Sequence, residues 1–204
     1  SPPQPSRFQG EGADRYRPVP LHPRPGRRGS HPRRPVGARA YRYFSLYDPS
    51  PGCLIEVGSE HGEGSTRWLD RWAGRVGLEF FTADIDPKVH KRAAKLTQGA
   101  RLCSGRELLS RVVGVSFAYL DGFDWLLPAD ADRLWVADQR ARYYQLGLER
   151  TNRASEAEHL AEARVLVERA NERCAVICDD TFRERGRWRG KAAKAVPFLE
   201  ARGF

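Results

Sequence analysis

The chain has 204 residues, of which 40% are hydrophobic, so it is long enough for one domain with a sizeable core plus a terminal extension. No apolar run approaches the roughly 18 residues that a membrane-spanning helix needs, so the sequence predicts no membrane segment. The formal net charge of +9 is compatible with acidic partners such as nucleic acid, but it does not demand them.

Positive charge is concentrated in residues 1–40, a Pro/Arg-rich extension. It holds nine arginines against Glu11 and Asp14, a net charge of +7, and nine of the fourteen prolines. Such a segment could bind nucleic acid, or it could be a solvated extension that wraps the domain or a neighbouring subunit. The second interpretation is favoured, because no aromatic-rich binding module accompanies the arginines.

From residue 53 onwards, strand and helix patterns alternate. Strands are predicted at 53–59, 79–85, 100–104, 115–121 and 174–180, and helices at 65–74, 87–98, 106–113, 155–171 and 190–201. The alternation predicts an α/β domain over residues 41–204, with a doubly wound, Rossmann-like, mostly parallel sheet. The link between the fourth and fifth strands is long, and only its last part, from about Ser155, is predicted to be helical. Residues 122–154 show weak periodicity and are predicted to be a substrate-binding or lid insertion.

The four cysteines carry no sign of a metal site. They lie inside or beside apolar runs and lack the paired spacing of zinc ligands. Free cysteine is usually buried, and reduced thiols are typical of the cytoplasm. The sequence therefore predicts a cytoplasmic protein with buried thiols at Cys53, Cys103, Cys174 and Cys178.

A glycine cluster follows the first strand, in the stretch CLIEVGSEHGEGST at 53–66. Gly58, Gly62 and Gly64 fall between strand and helix, where ligands bind in doubly wound sheets. Glycine permits positive φ and close backbone approach, and the helix start offers free N–H groups. The stretch therefore predicts a nucleotide-like ligand.

An acid at the end of the second strand narrows this prediction. Asp84, in TADIDP, lies 20 residues after Gly64 and is suited to bind ribose hydroxyls. Asp86 could serve instead, although it lies beyond the predicted strand end.

These motifs resemble those of the class I S-adenosylmethionine-dependent methyltransferases. EVGSEHGEGST is similar to their first motif and TADIDP to their second, while LCSGRELL resembles the segment beside the adenine. YLDGFDW and VICDDTF are similar to the motifs after the fourth and fifth strands. The resemblance covers about residues 50–204 and implies S-adenosyl-L-methionine as cofactor. The residues implied to bind it are Glu56, Gly58, Ser59, Gly62, Gly64, Ser65, Asp84, Ser104, Gly105 and Asp121.

Three acids end the two later strands. Asp121 follows the fourth strand, and Asp179 and Asp180 follow the fifth, so all three are expected near the ligand crevice. Converging carboxylates repel each other unless a cation or protons intervene. Oxygen ligands suit Mg²⁺ or a similar hard cation.

The same acids resemble the metal ligands of O-methyltransferases of the catechol and macrocin types. The resemblance implies that Asp121, Asp179 and Asp180 hold a divalent metal that binds a substrate hydroxyl. Catechol-type enzymes have a lysine shortly after the first of these acids, and this chain has none there. The catalytic candidates are Asp121 and His159, and the identity of the general base stays open between these two, Asp124 and none.

The leading hypothesis is a magnesium-dependent O-methyltransferase that acts on a small molecule. One alternative is an RNA methyltransferase that uses the basic extension for nucleic-acid binding. Another is a non-catalytic protein that binds S-adenosylmethionine.

The last two strands usual in this family have no counterpart after the helix predicted at 190–201. The chain is therefore expected to be truncated or to form a reduced five-stranded sheet. Alternatively, residues 41–48 or a partner chain, as in a homo-oligomer, covers the sheet edge.

Overall fold

A computed structural model describes residues 47–59, 64–127 and 133–204. The predicted extension 1–40 and Gly62 of the glycine cluster lie outside these ranges. Within them, no helix is both long and apolar enough to cross a membrane.

Five parallel strands form the central sheet, in the order β3-β2-β1-β4-β5. The strands are β1 (Cys53–Val57), β2 (Glu79–Asp84), β3 (Ala100–Leu102), β4 (Val115–Leu120) and β5 (Ala170–Cys178). Every residue of β1 and β4 is buried, as expected for central strands of a parallel sheet covered on both faces. The predicted doubly wound α/β arrangement is confirmed, although β5 begins four residues earlier than predicted.

Six helices accompany the sheet in the described ranges. They are α1 (Ser65–Val76), α2 (Pro87–Ala93), α3 (Gly105–Arg111), α4 (Leu134–Gln145), α5 (Asn152–Arg169) and α6 (Ala195–Glu200). Local sequence explains two of the starts. Asp86 caps α2 by accepting a hydrogen bond from the Lys88 N–H, and Ser104 and Glu107 form a reciprocal capping box on α3.

Two predicted helices are shorter than expected. The helix predicted at 87–98 ends at Ala93 and continues as turns, and the one predicted at 190–201 is reduced to α6. The glycine at 190 adopts a positive φ of 92° and ends a strand instead. Lys191 therefore precedes the last helix rather than belonging to it.

Alternating residues of the central strands supply two hydrophobic clusters, one on each face of the sheet. Ile55 and Leu120 pack on one face with Leu166 of α5. Leu54 and Phe117 pack on the other face with Trp72 of α1. Both faces of the sheet are therefore covered by helices, and ligands can reach its strands only from the edges.

The link at 122–154 contains a helix that the sequence did not predict. In α4, only Val136 and Tyr143 are buried. A helix that buries so few side chains gives a weak hydrophobic period, and exposed apolar residues near its ends dilute the signal further. The prediction that the connection from β4 to β5 is helical only from about Ser155 was wrong, because α4 lies within it and α5 begins at Asn152.

A second, separate sheet follows β5. The strands β6 (Thr181–Glu184) and β7 (Arg187–Gly190) form an antiparallel hairpin. Its turn residues Arg185 and Gly186 have φ angles of 47° and 78°, as in a two-residue type I′ turn. The sequence analysis assigned no element here, because arginines occupy both faces of the strands and hide their alternation. In the described ranges the hairpin does not pair with the five-stranded sheet.

The first described residues lie against the edge strand β5. The Tyr47 hydroxyl lies 2.7 Å from the Arg173 carbonyl oxygen, and the Arg173 guanidinium donates to the Asp48 carbonyl at 2.8 Å. Tyr47 and Asp48, the end of the segment 41–48, thus contact β5, and coverage of the sheet edge by this segment stays a prediction. Further coverage by a partner chain stays a prediction.

Replacement of Gly58 by alanine should destabilise the fold. Gly58 has a φ of 89°, and an added Cβ would lie 2.5 Å from the Asp121 carbonyl oxygen. Strain at such a φ costs about 1–3 kcal/mol. Urea denaturation of Gly58→Ala should show a loss of at least that size in the free energy of unfolding.

Gly74→Ala is the matched control. Gly74 lies inside α1, and an added Cβ would meet nothing within 4 Å. Alanine there should stabilise the helix by about 0.5–1 kcal/mol. Equal effects of the two substitutions on unfolding would contradict the described path of the chain at Gly58.

Candidate functional site

The segments that leave β1, β4 and β5 stand side by side at the carboxyl edge of the sheet. Each is held by a backbone hydrogen bond of 2.9–3.0 Å to the end of a neighbouring strand. The bonds join Gly58 to Ala83, Asp121 to Val57 and Asp179 to Leu120. The predicted convergence of the glycine stretch and the acids at this edge is therefore observed for the residues that the structure describes.

Asp84 is buried at the carboxyl end of β2. Its Oδ1 accepts a hydrogen bond of 2.8 Å from the Asp86 N–H. Burial raises the pKa of Asp84, and hydrogen bonds from the backbone of Asp86 and Ser59 oppose the rise. The Ser59 hydroxyl in turn lies 2.7 Å from the Thr82 hydroxyl. Asp84 thus lies beside the turn after β1, whose Gly58 N–H donates to the carbonyl oxygen of the preceding residue, Ala83.

Glu56 lies beneath this turn and is completely buried. Burial raises the pKa of Glu56 to about 7. The nearby hydroxyls of Ser65, Thr66 and Thr82 lower this pKa and so oppose part of the rise. These hydroxyls lie close enough to act on the carboxylate, but among the described residues neither carboxylate oxygen has a well-aligned hydrogen bond. Glu56 is therefore a buried acid whose hydrogen-bonding capacity is not fully used.

The start of α1 completes the turn. Gly64 precedes the helix without any side-chain cap, and Ser65 is its first residue. Space beside Gly64 is open, since an added Cβ would meet nothing within 4 Å. The predicted cofactor residues Glu56, Gly58, Ser59, Gly64, Ser65 and Asp84 are therefore neighbours, and Gly62 lies outside the described ranges.

Ser104 and Gly105 have structural partners of their own. The Ser104 backbone N–H and hydroxyl both contact the Glu107 carboxylate in the capping box. A Cβ on Gly105 would lie 2.5 Å from Oε1 of Glu162 in α5 and 2.5 Å from the Val57 side chain. Glycine is thus required there by packing, and the role of this segment beside an adenine stays a prediction.

Helix α4 covers the carboxyl end of β2 through Arg142. The Arg142 Nη2 lies 4.0 Å from Asp84 Oδ1, and its Nε lies 2.7 Å from Asp86 Oδ2. The Nε–H is not aligned for a hydrogen bond, so the second contact is a close ion pair. The Tyr143 hydroxyl accepts a hydrogen bond of 2.6 Å from the Asp124 N–H, which fixes the same helix to the segment after β4. Helix α4 therefore lies at the carboxyl end of β2, and the role of residues 122–154 as a substrate-binding or lid insertion stays a prediction.

Lys191 is the residue that sequence reasoning missed. Its side chain is only 4% exposed, and its Nζ lies 2.5 Å from Asp121 Oδ1 and 3.2 Å from Asp180 Oδ2. Burial opposes the charge of this ammonium, but the surrounding acids Asp121, Asp180 and Asp179 raise its pKa above the ordinary value. No local motif signals this contact, because Asp121 and Lys191 are 70 residues apart in the chain.

Asp121 keeps a raised pKa despite its lysine partner. Burial raises the value, Lys191 lowers it, and Asp179 raises it further. The side chain is 20% exposed, so it reaches the surface of the edge. Asp121 is therefore a carboxylate oriented by an ammonium and more basic than a solvent-exposed aspartate.

His159, one of the two predicted catalytic residues, lies in the interior of helix α5 and not at its start. It lies about two turns inside α5 and is completely buried. Its Nδ1 lies 2.9 Å from the Ser155 carbonyl oxygen, which makes Nδ1 the protonated nitrogen, and its Nε2 has no hydrogen-bond partner among the described residues. Burial lowers its pKa to about 4, so the ring is neutral near pH 7.

Glu162 is a second buried acid on α5 that the sequence analysis did not select. It is 1% exposed, and its Oε2 has no hydrogen-bond partner among the described residues. Burial raises its pKa to about 8. In the sequence, Glu162 could not be distinguished from the other glutamates of the same helix, which are less buried.

The predicted metal ligands do not form a cation cage as they stand. The Lys191 ammonium lies between Asp121 and Asp180, while Asp179 Oδ2 accepts a hydrogen bond of 3.0 Å from the Tyr119 hydroxyl. Within the described ranges, no group of three or more His, Cys, Asp or Glu residues has the geometry of a metal site. A divalent cation at these acids stays a prediction that requires Lys191 to move.

No match was found between the chain and protein-family models, curated proteins or solved structures. The function is therefore inferred from the sequence motifs and from the positions that their residues take at the carboxyl edge.

Replacement of Lys191 by methionine should destabilise the protein strongly where Asp121 is ionised, above about pH 8. It would leave the buried Asp121 without its partner, and breaking a buried ion pair on one side costs about 3–5 kcal/mol. Without the ammonium, the folded-state pKa of Asp121 rises further above its ordinary value of 3.8. Burial already raises the pKa of Asp121 to about 8 in the natural chain, so the deficit that comes from its charge should be small below that pH and grow as the pH rises through it.

Denaturant unfolding of Lys191→Met across pH 6–10 measures this dependence, with Lys194→Met as control. Lys194 is 53% exposed and pairs with Glu156 at 2.9 Å, so its loss should change stability by less than about 1 kcal/mol. A deficit in Lys191→Met that does not change with pH would contradict the proposed coupling to Asp121.

Proposed function

We propose that the chain is an S-adenosylmethionine-dependent methyltransferase of the class I fold, which transfers a methyl group to a hydroxyl. The observation that carries the proposal is the buried Asp84 at the end of β2, directly after Ala83, whose carbonyl oxygen accepts a hydrogen bond of 2.9 Å from the Gly58 N–H in the turn that follows β1. A carboxylate in this position of a doubly wound sheet is suited to the two hydroxyls of a ribose.

The donors and acceptors near Asp84 fit a nucleoside with a charged tail. Among the described residues no side chain caps the start of α1, so the N–H groups of its first turn can donate to a ligand beside the open space at Gly64. Glu56 beneath the turn has carboxylate oxygens without aligned partners among the described residues, and it can orient the turn or accept from an ammonium. Arg142 lowers the pKa of Asp84 and so helps to keep it in the ionised form that accepts hydrogen bonds from a diol.

When bound, S-adenosylmethionine supplies an electrophilic methyl group that the acceptor oxygen takes as the hydroxyl loses its proton and the sulfonium becomes a thioether. The chain's residues have to orient the hydroxyl and accept that proton. Proximity and alignment supply most of the acceleration of such a displacement.

Asp121 is the residue proposed to accept the proton. It lies at the edge beside Gly58, its side chain is partly exposed, and burial makes it a stronger base than an ordinary aspartate. Lys191 fixes the carboxylate in one orientation. His159 is completely buried, so its side chain does not meet an acceptor at the edge.

The cation expected among the three acids is already supplied by Lys191. Its ammonium balances Asp121 and Asp180 in the position that a divalent metal would have to occupy. No step of the proposed reaction therefore involves a metal ion, and Mg²⁺ binding stays a separate prediction.

Asp84→Asn should weaken S-adenosylmethionine binding. The amide cannot accept both ribose hydroxyls as a carboxylate does, and a charge-assisted hydrogen bond contributes about 1.5–3 kcal/mol, or roughly ten- to hundredfold in affinity. Calorimetric titration of the cofactor into the natural chain and the variant measures the change.

Asp70→Asn is the matched control, with the same chemical change in the middle of α1. Asp70 accepts a hydrogen bond of 2.7 Å from Thr97, away from the carboxyl edge. The Asp70→Asn variant should bind the cofactor with the affinity of the natural chain. Absence of binding to the natural chain would contradict the proposal, and binding without transfer to any hydroxyl acceptor would favour the non-catalytic alternative.

A further inference from the structure

The hairpin β6–β7 is attached directly to the proposed active site. Asp180 immediately precedes it and Lys191 immediately follows it, and the Lys191 N–H donates to the Asp180 carbonyl at 3.2 Å, which closes its base. The two side chains of that base are the ion pair of the site. A ligand bound along the hairpin therefore lies next to the carboxyl edge of the sheet.

One face of the hairpin packs towards α6. Arg183 and Trp188 are cross-strand partners on this face, and the Arg183 guanidinium lies 5.2 Å from the centre of the Trp188 ring. The Trp188 Nε1–H donates to Glu200 of α6 at 3.4 Å.

The opposite face is open. Phe182 pairs across the strands with Arg189, and Glu184 pairs with Arg187, so these four side chains share that face. All four residues are exposed, and the exposed fraction of Phe182 is 44%. Arg187 and Arg189 are two residues apart on one strand, which separates their positions by about 7 Å.

Charge on the hairpin is strongly positive. Its ten residues contain Arg183, Arg185, Arg187 and Arg189 against the single acid Glu184. Glu184 contacts Arg189 at 3.4 Å, whereas Arg185 and Arg187 have no ion pair within the described ranges. An exposed aromatic ring set among such arginines provides both a stacking surface for bases and contacts for phosphates.

We propose that the open face of this hairpin binds single-stranded RNA and directs it towards Asp121. The RNA is then the methyl acceptor. The inference rests on the proposed function, because RNA is the nucleic acid whose backbone carries a free hydroxyl, the 2′-OH, at every nucleotide. The net charge of +7 in residues 1–40 adds attraction for the same polyanion. The sequence alone favoured a small acceptor, and the hairpin is the feature that favours RNA instead.

Fluorescence anisotropy with a labelled single-stranded oligoribonucleotide tests the surface on the full chain. Arg187→Ala/Arg189→Ala should weaken binding several-fold and lower the slope of log affinity against log salt by about 1.4, since each phosphate contact on a single strand contributes about 0.7. Phe182→Ala should weaken binding about fivefold or more through lost stacking.

Arg75→Ala/Arg111→Ala makes the same change in charge at the ends of α1 and α3, next to the amino ends of the strands. This control should bind RNA like the natural chain. Equal weakening by the control, or competition by inorganic polyphosphate as strong as that by RNA, would overturn the proposal and leave only attraction between charges.

Transfer of a labelled methyl group tests the acceptor. Label should enter the oligoribonucleotide and should not enter the same oligonucleotide with 2′-deoxyribose, and label in both would overturn the assignment to the 2′-OH. Cofactor calorimetry separates the two proposals. Hairpin-dependent RNA binding without cofactor binding would contradict the methyltransferase and not the surface, and cofactor binding without hairpin-dependent RNA binding would contradict the surface alone.

Discussion

The buried ammonium of Lys191 is the interaction on which the carboxyl edge of this protein depends. It joins Asp121, at the end of β4, to Asp180, at the end of β5, and both lie in a region where burial disfavours carboxylate charge. Without a cation there, two or three neighbouring acids would have to bind protons or separate. The ion pair also fixes the base of the hairpin. The Lys191 contacts therefore determine both the geometry of the site and the direction of the basic hairpin.

Around this centre, the two parts of the chain that lie outside the regular βα alternation serve the same edge. Helix α4 reaches from Asp124 to the acids at the end of β2, and its Arg142 neutralises part of their charge. The hairpin begins and ends at the Lys191 ion pair on the other side. The five-stranded sheet supplies rigid strand ends, and these two additions determine what can approach them. This division of roles is usual for doubly wound sheets, in which function resides in the connections.

Much of the sheet could be predicted from sequence because its signals are local. Continuous apolar runs marked β1 and β4, and Pro87 marked the start of α2. The glycine stretch and Asp84 were correctly placed at one edge, since the carboxyl ends of parallel strands meet there. What could not be predicted depended on partners distant in the chain. Lys191 resembled an ordinary surface lysine.

The missed elements share a physical reason with the missed lysine. Helix α4 buries only two of its side chains, and the hairpin buries little on either face, so neither carries a clear hydrophobic period. His159 and Glu162 lie in a helix whose sequence is rich in charge, and only the packed structure shows that these two face inward. The residues at the strand ends could be predicted from the sequence. The residues that contact them from distant parts of the chain could not.

The most direct test of this account is the protonation state of Lys191. The chain has only five lysines, Lys88, Lys91, Lys95, Lys191 and Lys194, so ¹³Cε-labelled lysine gives a spectrum with five signals, in which Lys191 is assigned by its loss in Lys191→Met. The account predicts that this signal stays in its ammonium position beyond pH 10.5, the ordinary lysine value, and does not change when Mg²⁺ is added at neutral pH. Titration of Lys191 below that pH, or a saturable shift of its signal with Mg²⁺, would contradict it and return the acids to the role of metal ligands.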